Sequence, residues 1–177
     1  MRRIFIASIS VLALTGVSLA GNVHLVTQVG AGNVDLYSQL GDNFSSTHQF
    51  GYLNGSAVSQ TGINGSKTTQ VGIYNTSVTN QLGIFQGQRT TQIGIGNGSE
   101  TQQEGIFQSA HTVQVGAFNT SFTNQLGVDN HASTIQFGVG NYSSTSQIGV
   151  GNYSSTKQIG VGNVSIGVQA SLGDHGE

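Results

Sequence analysis

Five histidines, His24, His48, His111, His131 and His175, have the widest chemical reach in this sequence, as ligands, acids or bases. Their spacings match no metal-ligand pattern, and there is no cysteine to join them. They are expected to be exposed bystanders. No Ser, His and Asp set recurs with the logic of nucleophile, base and orienting acid. The Gly-x-Gly pairs at Gly138 and Gly140, and at Gly149 and Gly151, recur as turns. A phosphate loop would be one such turn opening a helix, so nucleotide binding is not expected. Asn75, Asn97, Asn119, Asn141 and Asn152 each open an Asn-x-Ser sequon. These read as turn asparagines that happen to precede Ser, not as glycosylation sites. No enzyme, metal or cofactor is expected.

The side chain that does recur in register is the carboxamide. Gln81, Gln92, Gln103, Gln114, Gln125, Gln136, Gln147, Gln158 and Gln169 fall eleven residues apart. The unit is plainest in QFGVGNYSSTS at 136–146, followed at once by QIGVGNYSSTK at 147–157. Earlier units start at Gln28, Gln39, Gln49, Gln60 and Gln70. Two of those spacings are ten, because Gly41-Asp42-Asn43 and Gly62-Ile63-Asn64 each lack one residue before the Asn. A longer period is superposed: QVGIYNTSVTN at Gln70–Asn80 returns as QVGAFNTSFTN at Gln114–Asn124. Similarity at even multiples of the unit predicts that two units make one structural coil of about 22 residues.

The elements that must carry these amides are strands. An eleven-residue period can suit a right-handed helical supercoil. However, Gly-x-x-Asn in almost every unit would break or cap a helix each time. Val, Ile, Thr, Tyr and Phe favour strands. Gly and Asn tolerate the left-handed conformations of tight turns. Each unit is therefore expected to give a strand of about five to seven residues centred on Thr-x-Gln-x-Gly, then an arc. The fold class is all-β, a β-solenoid of stacked strand–arc–strand–arc coils. Six to seven coils rising about 4.8 Å each would make a body on the order of 30 Å long.

Strand alternation sorts each unit into two faces. One carries Gln, Gly, Thr two residues before each Gln, and a small residue two before that, such as Ser77, Ser99, Ala110, Ser121, Ala132, Ser143 and Ser154. The other carries Val71, Leu82, Ile93, Val115, Leu126, Phe137, Ile148 and Ile159. Hydrophobic burial alone would put the second face inside. The first face barely varies between units, and Glu104 on the second would be costly if buried unpaired. The adopted expectation is a polar interior, with Phe137 and Ile148 outside, though an apolar outer face is also what reversed faces would look like. Ile73, Ile84, Ile95, Ile106, Val139, Val150 and Val161, after the Gly, are expected to turn inward at the arcs. Identical amides stacked in register can donate to one neighbour and accept from the other, satisfying themselves without water. The ladder residues on this reading are Gln70, Gln81, Gln92, Gln103, Gln114, Gln125, Gln136, Gln147 and Gln158, with Asn75, Asn97, Asn119, Asn130, Asn141, Asn152 and Asn163 at the arcs. Tyr74, Phe85, Phe107, Phe118, Tyr142 and Tyr153, also at arcs, are expected to pack on the surface.

The ends of the chain read differently. Arg2 and Arg3, an apolar run over 4–17, and Ser18-Leu19-Ala20 make a secretory signal peptide over 1–20, cleaved after Ala20. Residues 21–177 form one repeat domain, regular over 28–169, with a short polar tail at 170–177. Without cysteine, disulfides do not hold an exported chain together. Without proline, nearly every backbone N–H is free for a ladder. Beyond residue 20 the bases are Lys67, Arg89 and Lys157 against seven acids, so no footprint for nucleic acid is present.

Gln-x-Gly-x-x-Asn, a small residue two positions on, and then the next Gln, resembles the curlin repeat. Gln70-Val-Gly72-Ile-Tyr-Asn75-Thr-Ser77 shows it, as do 92–99, 114–121, 136–143 and 147–154. The resemblance covers nearly all of Gln28 to Gln169. It implies a subunit of curli, the extracellular functional amyloid of bacterial biofilm and adhesion. It also implies a solenoid with inward Gln and Asn, passage through the periplasm with a chaperone, an outer-membrane export pore, and a major subunit or nucleator as partner. The chain departs from the family pattern in carrying Thr where aliphatic residues are common. Gln86 and Gln108 stand where Asn is expected, and the repeats begin close to Gly21.

Physics points the same way. Open coil ends expose unpaired N–H and C=O groups, and end-to-end addition is a contact that does not close. The expected function is a self-assembling, end-to-end homopolymer fibre at the cell surface. The alternative is a monomeric ice-binding or other surface-binding solenoid that uses an outward Thr column.

Overall fold

The computed structural model describes residues 21–171. The expected signal peptide over 1–20 and residues 172–177 of the expected tail, His175 among them, lie outside the described residues. Twelve strands follow in chain order: β1 (Val23–Ala31), β2 (Val34–Gly41), β3 (Phe44–Tyr52), β4 (Gly55–Ile73), β5 (Thr76–Ile95), β6 (Gly98–Ile106), β7 (Ser109–Ala117), β8 (Thr120–Val128), β9 (His131–Val139), β10 (Tyr142–Val150), β11 (Tyr153–Val161) and β12 (Val164–Ser171). Each unit gives eight or nine residues of strand, longer than the repeat predicts, because pairing continues past the Gly into the arc. β4 and β5 each run through an arc and contribute two units.

The result is a parallel β-solenoid of about 7 turns. Odd-numbered units stack as β1, β3, the second halves of β4 and β5, then β7, β9 and β11. Even-numbered units stack as β2, the first halves of β4 and β5, then β6, β8, β10 and β12. Gln pairs with Gln at every step, and Gly with Gly at every step but the last, where Gly149 meets Ser171, so the repeat register is the pairing register. The step is 21 residues in the first coils and 22 later. The change falls where Ile63 pairs with Ile84 but Asn64 pairs with Gln86, leaving Phe85 as the added residue.

That added residue has a fixed conformation. In the eleven-residue arcs the residue before the Asn, or before Gln86 and Gln108 in its place, is left-handed: Gly32, Gly96, Gly140, Gly151 and Gly162 at φ 63–68°, and Leu53, Tyr74, Phe85, Phe107, Phe118 and Asp129 at φ 55–58°. The ten-residue units at Asp42 and Ile63 are the ones that omit it. For a bulky side chain this conformation costs about 1–2 kcal/mol, so these arcs are strained by choice of residue. The Gly of Gln-x-Gly is needed for a second reason. At Gly72, φ is 129°, and a Cβ there would overlap the carbonyl oxygen of Gly94 one coil on. The same overlap recurs from Gly30 to Gly149, so in those coils the position is closed to any larger residue, while Ser171 takes it in the last coil.

The interior is polar, as the invariance of that face predicts. Gln49, Gln70, Gln92, Gln114, Gln136 and Gln147 are fully buried, as are Thr79, Thr90 and Thr134. The hydrophobic members of the core are Val58, Ala110 and Ala132. Phe137 (40% exposed) and Ile148 (46%) face out. The arc aliphatics do not turn inward as expected: Ile73, Ile84, Ile95, Val139, Val150 and Val161 are exposed, and Ile106 is half-buried. Strand alternation runs on through the Gly, so each lies two residues beyond an outward residue, as Ile73 does beyond Val71, and shares its face.

Candidate functional site

The features that carry chemistry are the amide columns and the two coil ends where those columns stop. One glutamine column runs Gln28, Gln49, Gln70, Gln92, Gln114, Gln136, Gln158. In it each Nε2 donates to the next Oε1 at 2.7–2.9 Å. The second runs Gln39, Gln60, Gln81, Gln103, Gln125, Gln147, Gln169, with bonds of 2.7–2.8 Å. From Gln39 onward the other N–H of these amides is used as well. Gln92 Nε2 donates to Thr76 O at 2.8 Å and Gln136 Nε2 to Thr120 O at 2.9 Å, tying one sheet to the start of the other. Buried amides left unpaired would each cost about 1–3 kcal/mol; here they are paired along the stack and across it.

Asparagine columns run the opposite way. At one arc Asn54, Asn75, Asn97, Asn119, Asn141 and Asn163 each donate Nδ2 back to Oδ1 of the preceding coil, at 2.9–3.1 Å. The backbone N–H of the same residue shares that oxygen, as for Asn97 onto Asn75 at 3.2 Å. Asn75 Nδ2 also donates forward to Gly94 O at 3.0 Å, so one side chain pins three coils. The second arc is less regular. Asn152 donates back to Asn130 at 3.0 Å, but Gln86 and Gln108 occupy the middle of that column. Their longer side chains still reach the Gly carbonyl ahead, Gln86 to Gly105 O and Gln108 to Gly127 O, both at 3.1 Å. Gln86 Oε1 is left without a partner.

Opposed columns give the two ends opposite chemistry. At the first coil, Gln28 and Gln39 present Oε1 atoms that accept no hydrogen bond among the described residues. At the last coil, Gln158 and Gln169 donate to Tyr142 O and Tyr153 O and have a second N–H to spare. Asn152 and Asn163 there hold Oδ1 atoms onto which no later coil donates. Donors at one end thus match acceptors at the other, in the same columns.

The first coil is filled unlike the rest, which the sequence reading missed. His24 and Asp35 occupy the small-residue columns, in register with Ser45 and Ser56. His24 Nε2 lies 2.6 Å from Asp35 Oδ2, and both side chains are almost fully buried although their main chains lie on the open edge. Tyr37 stacks on the His24 ring, centroids 3.9 Å apart and planes 25° apart. The expectation that the histidines are exposed bystanders therefore fails at His24. The signal was available: His24 and Asp35 are eleven residues apart at the small-residue position of their units. His48, His111 and His131 do lie on the outer surface, half-buried, with His131 stacked on Tyr153. Among the described residues no three His, Asp or Glu side chains converge where a metal ion would fit.

Basic and acidic residues separate by sheet. Lys67, Arg89 and His111 are consecutive partners on the outside of the odd-numbered sheet. Glu100 and Glu104 lie on the outside of the even-numbered one. His111 is held below the usual histidine range by partial burial, with Arg89 and then His131 adding to the effect. Comparison of the chain with protein-family models, with characterised proteins and with solved structures finds no match.

Proposed function

We propose that this chain is the subunit of an extracellular curli-type amyloid fibre, assembling end to end. It would be secreted through the periplasm with a chaperone and leave by an outer-membrane pore. It would join copies of itself and a nucleator or major subunit in adhesion and biofilm matrix. Its role is mechanical, with no catalysis assigned to it. The observation that carries the proposal is the pair of open ends, complementary in donors and acceptors along four amide columns. Among the described residues no helix or loop covers either end, and an uncovered strand edge is a template for pairing. The ice-binding alternative rested on outward threonines. Thr79, Thr90, Thr101, Thr112, Thr123, Thr134 and Thr145 are all buried, so that column is not a surface and the reading loses its basis.

The test is assembly of residues 21–177 purified from denaturant. Thioflavin-positive fibres with a meridional reflection near about 4.7 Å are expected. Growth should also accelerate on addition of sheared fibres. A chain that folds and remains monomeric at high concentration overturns the proposal.

A further inference from the structure

Resting on the end-to-end reading, we propose that the junction between copies is keyed by Tyr37 of one chain entering a gap left by Gly167 of the next. The two residues belong to one column. Tyr37 pairs in register with Val58, Val58 with Thr79, and the column continues through Thr101, Thr123 and Thr145 to Gly167. It therefore begins with its largest member and ends with its smallest. Between them every member is Val or Thr. Nothing lies within 4 Å of where a Gly167 Cβ would be, and its backbone is not in the left-handed region. Neither local packing nor backbone conformation of the isolated chain requires a glycine there.

A second copy supplies the reason. Continuing the stack places its first coil on the last coil of the chain before it. His24 would then meet Ser154, Val26 would meet Thr156, Asp35 would meet Ser165, and Tyr37 would meet Gly167. The oversized first-coil set is matched by small residues, with glycine opposite the largest ring. An open depression of about 480 Å³ lies at this end along β11 and the arc into β12, bordered by Thr156, Gln158, Asn163 and Ser165.

The experiment uses Gly167→Thr, Tyr37→Val and the double variant in the full mature chain. Gly167→Thr restores the residue that the column carries elsewhere, so the monomer should keep its β-sheet spectrum and melting point. Its seeded elongation on parental fibres should fall about tenfold, the effect of an overpacked interface. Tyr37→Val, which repeats Val58, should bring the Gly167→Thr chain back to within about twofold of the parent when both changes are present in all copies. Gly167→Thr chains elongating at the parental rate would overturn the key while leaving the fibre standing. A slow Gly167→Thr chain that Tyr37→Val does not rescue would also overturn it. Failure of the parent itself to form fibres would instead remove the end-to-end reading on which the key rests.

Discussion

Carboxamides dominate the interior, but its hydroxyls are less well served. Thr79, Thr101 and Thr134 Oγ1, and Ser77, Ser121 and Ser143 Oγ, make no hydrogen bond within the chain although each is buried. An unpaired buried hydroxyl costs more than an apolar group of the same shape. Val58 already stands in the column of Thr79, one coil below, and is buried there. Thr79→Val should therefore stabilise the folded monomer by about 1 kcal/mol, read as a shift in denaturant midpoint at constant slope. A loss of stability instead would mean that the hydroxyl is satisfied by ordered water. The left-handed arc residues are the opposite case. Phe118 is largely exposed at φ 55°, and the sequence shows only that Gly shares this position with Leu, Tyr, Phe and Asp, not the conformation they have in common.

Register along the sheets was legible from the spacing of Gln alone, because parallel stacking of an exact repeat allows few other pairings. Which face lies inside was legible only from invariance, since hydropathy argues for the reverse. The direction of each amide ladder was not legible. It depends on whether the carboxamide reaches forward, as Gln70 does to Gln92, or back, as Asn97 does to Asn75. The charged columns follow from the same register. Lys67, Arg89 and His111 sit on adjacent strands about 4.8 Å apart, with no acid in that column among the described residues. Partial burial first, and then the like charge of Arg89 directly paired with it, favours the neutral form of His111. Its pKa is lower folded than unfolded, so the unfolded chain binds the proton more readily. The stability it confers is complete above about pH 6.5, the unfolded value, and is lost as pH falls toward the folded one. His111→Gln should flatten the acid limb of the stability curve in that window, measured by thermal melts from neutral to mildly acidic pH. An unchanged limb would show that His111 does not carry the sensitivity.

Since each coil touches only its neighbours, stability is a sum of coil and junction terms, and the two sheets are built from one sentence. Length should then be adjustable in units of eleven, not only of twenty-two. Deleting 136–146 joins His131–Ile135 to Gln147 and moves every later unit to the opposite sheet. Gln147 then takes the place of Gln136 above Gln114, Gln158 stands above Gln125, and Gln169 above Gln147. Asn152 comes to rest above Asn119 and Asn163 above Asn130, so the arc columns also re-form. The end face keeps the same residues, with Gly167 still in line for Tyr37 of the next copy, but the molecule ends half a coil earlier. The shortened chain should fold with a parental β-sheet spectrum, lose only the contribution of one unit from its unfolding free energy, and still elongate. In its fibres successive copies would be rotated by half a turn, so the Lys67–Arg89 column would alternate sides along the axis. Removing Gly138–Asn141 instead takes out the arc that turns the chain and should abolish folding. If the eleven-residue deletion is as damaging as the loss of an arc, the two sheets are not interchangeable and the coil, not the unit, is the quantum of this fold.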